Sequence, residues 1–113
     1  MSASPPVYDN GVLRISRTVR PPGLALAGEI DESTYAALVR VLDDVTRDQR
    51  EVHIDLAGVA YCDLAGLRAI VRLTAGRANG RLVQLHDVPP PLRAVLEIIG
   101  WDSTPGLAVA WSG

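Results

Sequence analysis

VHIDLAGVAYCDLAGLRAIVRL, residues 52–73, joins two hydrophobic periods in one run, and its reading decides that of the whole chain. Val52, His53, Ile54, Asp55 and Leu56 alternate in the two-residue period of a strand, and Ala57 and Gly58 then predict a turn. Further on, Leu67, Ile70, Val71 and Thr74 fall at helical spacing, so a helix is expected to run to about Gly76, with Gly76 and Gly80 available to end it. Asp63 stands at the junction. Its carboxylate is placed to accept from the backbone N–H of Ala65 or Gly66, which satisfies a donor that the first helical turn leaves unpaired. A strand that runs into a capped helix turns its other N–H groups outward, towards an anion or a docking partner.

The same alternation of periods extends in both directions. Upstream, Val12, Leu13, Ile15 and Val19 predict a strand whose other face holds Arg14, Ser16 and Thr18; Pro21, Pro22 and Gly23 turn the chain, and Leu24–Ala27 returns as the second arm of a hairpin. Asp31 is expected to cap a helix over Glu32–Arg47, whose Leu38, Val41, Leu42 and Val45 form one apolar stripe. Downstream, Leu82–Leu85 predicts a strand after the turn residues Asn79 and Gly80. Pro91 stands in the first turn of a helix carrying Leu92, Val95, Leu96, Ile98 and Ile99, Gly100 ends it, and Leu107–Trp111 is a last strand. Residues 1–10 show no period and read as a mobile tail, leaving 11–113 as one domain. The order implies an α/β fold: a mixed, mostly parallel sheet that opens with an antiparallel hairpin and is covered by helices on at least one face.

Composition narrows the chemistry. The 113 residues, 48% hydrophobic and 21% charged, suit one globular domain. A formal charge of −2 offers no general attraction to nucleic acid or to an anionic membrane. All eleven basic residues are Arg, which removes a phosphate-loop or Schiff-base lysine. No apolar run approaches the roughly 18 residues of a membrane span, and the single cysteine, Cys62, fits a reducing, cytoplasmic setting.

Glu29, Asp31, Asp55 and Asp63 lie at or near element ends, where capping explains Asp31 and Asp63 better than a carboxylate cluster does. His53 and His86 have no further ligand at metal spacing and read as structural histidines, so no metal or cofactor is expected. Cys62 beside Asp63 is a candidate nucleophile at a helix start, which keeps an enzyme or small-ligand binder using Cys62 and Asp63 as an alternative; but Asp63 opposes a thiolate and no base is identifiable nearby. Arg68 and Arg72, with Arg77, recur along one side of the predicted helix; most such groups are solvated surface, and without interleaved aromatics they are a weak nucleic-acid signal that could pair instead with acidic residues of a protein partner. Leu64 either packs under the preceding loop or offers an apolar contact, and the sequence leaves both readings open.

Gly28-Glu29-Ile30-Asp31, His53-Ile54-Asp55-Leu56 and Tyr61-Cys62-Asp63-Leu64-Ala65-Gly66-Leu67 resemble, in order, the three signature segments of the STAS domain of bacterial anti-sigma factor antagonists, over about Val12–Val109. In that family a phosphorylatable Ser or Thr follows the motif Asp, and the partner is an anti-sigma factor that is an ATP-dependent serine kinase. Phosphorylation adds charge at the docking surface and weakens the complex. Asp63 and Gly66 match the motif. Leu64 stands at the phosphoacceptor position and Ala65 at the next one, so the resemblance implies a non-enzymatic docking protein without the usual switch. Its partner-binding residues would be Asp31, Asp63, Leu64, Ala65, Gly66, Arg68 and Arg72. A STAS subunit of a transporter ATPase or other complex is the alternative within the family, and a second copy of the chain is a further candidate partner. The final helix that the family places after its last strand has no counterpart here, so a sheet face or edge is expected to be open, with Trp101 and Trp111 to cover it.

Overall fold

The computed structural model describes residues 6–75 and 81–111. The strands are β1 (Pro6–Asp9), β2 (Leu13–Val19), β3 (Pro22–Ile30), β4 (Glu51–Cys62), β5 (Leu82–Val88) and β6 (Leu107–Trp111). Helix α1 (Tyr35–Thr46) joins β3 to β4, α2 (Leu64–Val71) joins β4 to β5, and α3 (Pro90–Ile99) joins β5 to β6. The six strands form one sheet in chain order, with β1, β2 and β3 antiparallel and β3 to β6 parallel. The α/β fold with its opening hairpin is therefore as expected.

Neighbouring parallel strands joined by right-handed crossovers, all stepping the same way, carry their helices to one side. Accordingly, Leu13 and Ile15, Leu24 and Leu26, Val52, Ile54 and Leu56, and Val83 and Leu85 form one core with Leu38, Val41 and Leu42 of α1, Leu67, Ile70 and Val71 of α2, and Leu92 and Leu96 of α3. Each such side chain contributes about 1.5–3 kcal/mol by leaving water, so the helical stripes decide where the helices lie. The opposite sheet face carries Ser16, Ala25, Ala27, His53, Asp55, Gln84 and His86, all half-buried, and none of the three helices covers it.

Several local expectations change. The unpatterned tail gives way at Pro6 to β1, which pairs with β2 because Tyr8 packs against the core and Arg14 reaches Asp9 at 3.3 Å. Residues 1–5 lie outside the described set, as do Gly76, Arg77, Asn79 and Gly80. The turn expected at Ala57–Gly58 is a bulge inside a continuous β4: Ala25 pairs with Asp55 but Ala27 with Gly58, so three steps of β4 meet two of β3. Gly58 is needed there, since a Cβ would lie 2.9 Å from Ala27 Cβ. Helix α2 also ends earlier than expected, at Val71, and tightens into a 3-10 turn over Arg72–Ala75.

β5 runs on through His86 and Asp87 to Val88, with Asp87 at φ 54° bringing Val88 back to the core. Pro90 and Pro91 open α3 and Gly100 ends it in the left-handed conformation, its N–H donating to Leu96 O at 2.9 Å. Val19, Ile98 and Ile99, expected on apolar faces, are exposed. Trp101 and Trp111 do not cover the open sheet face. Both pack against the helix-side core, and the Arg93 guanidinium lies 5.0 Å from the centre of the Trp111 ring.

Candidate functional site

The β3–α1 and β4–α2 junctions lie side by side. Ile30 and Cys62 are ladder partners, and the N–H of Asp63 donates to Ile30 O at 3.0 Å, so the parallel pairing continues to the last residue before α2. A second bulge, where Gly28 meets Val59 but Glu29 meets Tyr61, re-aims the end of β4. It leaves Cys62 packed against the core and turns Tyr61 outward, 54% exposed.

Asp63 caps α2 as expected. Its backbone is extended and its Oδ1 accepts from Gly66 N at 2.8 Å. Gly66 has a packing reason: a Cβ would lie 2.3 Å from Cγ2 of the fully buried Ile30, with Asp63 Oδ1 and Cys62 Sγ also close. Glycine is what lets α2 start this near β3.

Asp31 does not cap α1. Its Oδ1 accepts from the N–H and the hydroxyl of Ser33, at 2.9 and 2.6 Å, and the Ser33 hydroxyl is the first cause holding its carboxyl below the ordinary value. The cap position falls to Thr34, which is fully buried; its Oγ1 accepts from Asp31 N at 3.0 Å and donates to Glu29 O at 3.2 Å. That hydroxyl closes the loop onto the end of β3, so α1 starts at Tyr35, three residues later than the sequence suggests.

Around these junctions the exposed residues form one surface. Leu64, 53% exposed, resolves the two sequence readings towards an outward side chain. Ala65, Arg68 and Arg72 are exposed with it, while Gly66 is buried and Asp31 and Asp63 are half-buried. Leu64, Arg68 and Arg72 repeat at four-residue intervals and so share a side. Tyr61, three residues before Leu64, and Tyr35, at the start of α1, which the sequence reading did not select, are exposed aromatics at the same two junctions. An open groove of about 480 Å³ between α1 and α2 continues this surface, lined by Tyr35, Val39, Asp43, Ala69 and Arg72. Its floor is held by Arg81, also missed. Nearly buried, Arg81 donates through Nε to Gln49 O at 3.0 Å and reaches Arg47 O and Leu73 O, tying the carbonyl end of α1 to the turn after α2. The signal for Arg81 was an arginine opening an apolar strand.

The thiol reading of Cys62 loses its chemistry. Burial, and then the charge of Asp63, push the thiol up to about 12, and Sγ donates to Asp63 O at 3.4 Å. A neutral thiol is a poor nucleophile and a poor ligand at physiological pH.

Comparison with known proteins decides the family. The family model "Mlab, STAS domain" matches residues 13–109, most of the chain. The chain belongs to the STAS domain family. Its fold is also that of a crystal structure of an anti-sigma factor antagonist from Mycobacterium paratuberculosis, with a TM-score of 0.75 and 20% identity over 90% of each chain. Comparison with curated proteins gives no match. Within this STAS domain, Asp63 and Gly66 keep the capped start of α2, while Leu64 and Ala65 carry no hydroxyl there. Among the described residues no helix is long and apolar enough to cross a membrane.

Proposed function

We propose that this STAS domain is a non-enzymatic cytoplasmic regulator of transcription, an anti-sigma factor antagonist that docks an ATPase-type, serine-kinase anti-sigma factor without a phosphorylation switch. The observation that carries this reading is Leu64, more than half exposed at the first position of α2, with the exposed Tyr61 three residues before it. A phosphoacceptor hydroxyl at a docking surface would let added charge disrupt the contact. An aliphatic side chain there cannot be phosphorylated, and with Tyr61 exposed at the same junction it makes the kind of apolar centre, rimmed by arginines, that anchors protein partners. The contact residues are Asp31, Asp63, Leu64, Ala65, Arg68 and Arg72, with Gly66, expected among them, buried beneath and holding the start of α2 in place, and with the groove between α1 and α2 continuing the surface.

Co-purification with candidate kinase-type anti-sigma factors tests the reading. Leu64→Asp, which puts a charge where the hydrophobic contact lies, is expected to weaken the complex at least ~10-fold, within the range of a single interface anchor. Wild-type binding that the variant leaves unchanged would exclude this surface. Incubation with the kinase and ATP is expected to leave the peptide spanning Asp63–Gly66 unmodified by mass spectrometry.

The lack of a hydroxyl at Leu64 and Ala65 also favours one second reading, a permanent STAS subunit of a transporter ATPase. Stable co-purification with a transporter ATPase, and with no anti-sigma factor, would select it.

A further inference from the structure

The sheet face opposite the helices carries a group of side chains that the docking surface does not use. Glu51, His53 and Asp55 occupy alternate positions of β4 and so share that face, and His86 of β5 is in register with Asp55. His53 Nδ1 lies 2.8 Å from His86 Nε2, and His53 Nε2 lies 3.0 Å from Glu51 Oε2. The His53 side chain is 12% exposed, so its ring is held in place by these contacts and by the sheet.

Proton accounting gives each nitrogen a role. An ionised Glu51 can only accept, which places a proton on His53 Nε2 and leaves Nδ1 of the neutral ring as a lone pair. His86 Nε2 then supplies the one proton between the rings. Two imidazole nitrogens thus converge on a single point that one proton occupies, and the His53 ring is oriented by a carboxylate at its other nitrogen. That carboxylate–imidazole pairing is the arrangement that aims metal-bound histidines and raises their basicity.

We propose that His53 and His86 bind a divalent transition-metal ion of the zinc class, with Glu51 orienting His53, Asp55 turning in as third ligand and water completing the shell. Imidazole and carboxylate together suit zinc, copper or nickel and do not suit magnesium or calcium. Among the described residues no three His, Cys, Asp or Glu side chains already converge on a metal position, so the ion gathers its own ligands. Replacing the proton by tetrahedral zinc requires the two nitrogens to stand ~3.3 Å apart, about 0.5 Å more than they do, which side-chain rotation supplies. On this face Ala25, in register with Asp55, is small, and Gln84, in register with His53, is a flexible side chain that can turn aside. Asp55 Oδ1 accepts from Ala57 N at 2.9 Å, which leaves its other oxygen for the ion. The site is independent of the docking reading, which concerns the opposite side of the sheet.

Calorimetric titration of the full chain, free of any purification tag, with zinc chloride near neutral pH tests the site. One ion per chain is expected, with no heat from magnesium chloride. His86→Gln and His53→Gln should each weaken binding more than ~10-fold and Glu51→Gln about 10-fold, the usual cost of losing an outer-shell carboxylate. Circular dichroism checks that each variant is folded, and ¹⁵N imidazole spectra of the wild type give a second readout, in which zinc should move the signals of both histidines. Cys62→Ala should bind as the wild type does. Absence of saturable zinc binding, binding that survives in a folded His53→Gln/His86→Gln double variant, or binding lost with Cys62 would each overturn the proposal.

Discussion

The two junctions that lead from β3 into α1 and from β4 into α2 begin alike and end differently. Each leaves a parallel strand through an Asp, and in each the residue three positions later is buried: Thr34 after Asp31, Gly66 after Asp63. At α2 the Asp carboxylate receives the Gly66 N–H directly, and the helix starts at the next residue with Leu64 facing outward. At α1 the carboxylate turns to Ser33, and Thr34 instead ties the loop to the strand end. A cap needs an approach as well as an acceptor. Glycine lets α2 come close enough for Asp63 to reach it, whereas the larger Thr34 fills the corresponding space and takes over the hydrogen bonding itself.

The largest test of this contrast is Gly66→Ala. A methyl 2.3 Å from Ile30 Cγ2 must displace a fully buried side chain, and overpacking of this kind costs ~3 kcal/mol at the upper end of its usual range. Urea unfolding should show the loss as a lower midpoint at constant slope; a midpoint within error of wild type would mean that the close approach is not what requires glycine.

Next, Thr34→Ala is expected to cost about 2 kcal/mol, since it leaves the Glu29 carbonyl and Asp31 N–H short of a buried partner, while Asp63→Ala costs about 1 kcal/mol for an ordinary lost cap. Equal losses would erase the distinction between the junctions. The smallest stability effect belongs to Asp31→Asn, and its sign follows from the lowered carboxyl. A carboxyl held below its unfolded value stabilises the folded chain above that unfolded value and loses the contribution as pH falls through the folded one. The difference in melting temperature between wild type and Asp31→Asn should therefore shrink on acidification below about pH 4. A difference that grows in acid would contradict the Ser33 contact.

Cys62, between the two junctions, gives a test by reactivity. With its thiol held up to about 12, stability from the protonated form is full below the ordinary thiol value and is lost as pH rises towards 12. Alkylation in the folded chain at pH 8 should be at least ~10-fold slower than in urea, because only the thiolate reacts. Equal rates would show that the thiol is not sheltered by β3 and α2.

How far the site was legible follows from the range of the interactions involved. Asp63 and Gly66 were readable because a cap joins residues three apart, and the stripe Leu38, Val41, Leu42 because a helix brings those positions together in any context. Tyr61 was not, because its outward direction depends on where the second bulge in β4 meets β3. Tyr35 was missed for a related reason: its place at the head of the groove between α1 and α2 follows from Thr34 moving the start of α1. The Glu51–His53–His86 contacts lay beyond reach as well, since His53 and His86 are 33 residues apart and meet only through the register of β4 on β5.

The sequence by itself determined the order of strands and helices from β2 onward, the capped start of α2 and the loss of a hydroxyl at Leu64 and Ala65, all of which rest on local period or residue chemistry. Only the tertiary structure decided that all three helices share one face, that Leu64 and Tyr61 stand exposed, and that two histidines meet on the other side. Those outcomes depend on strand register, bulges and crossover direction, which are set by packing between segments distant in the chain.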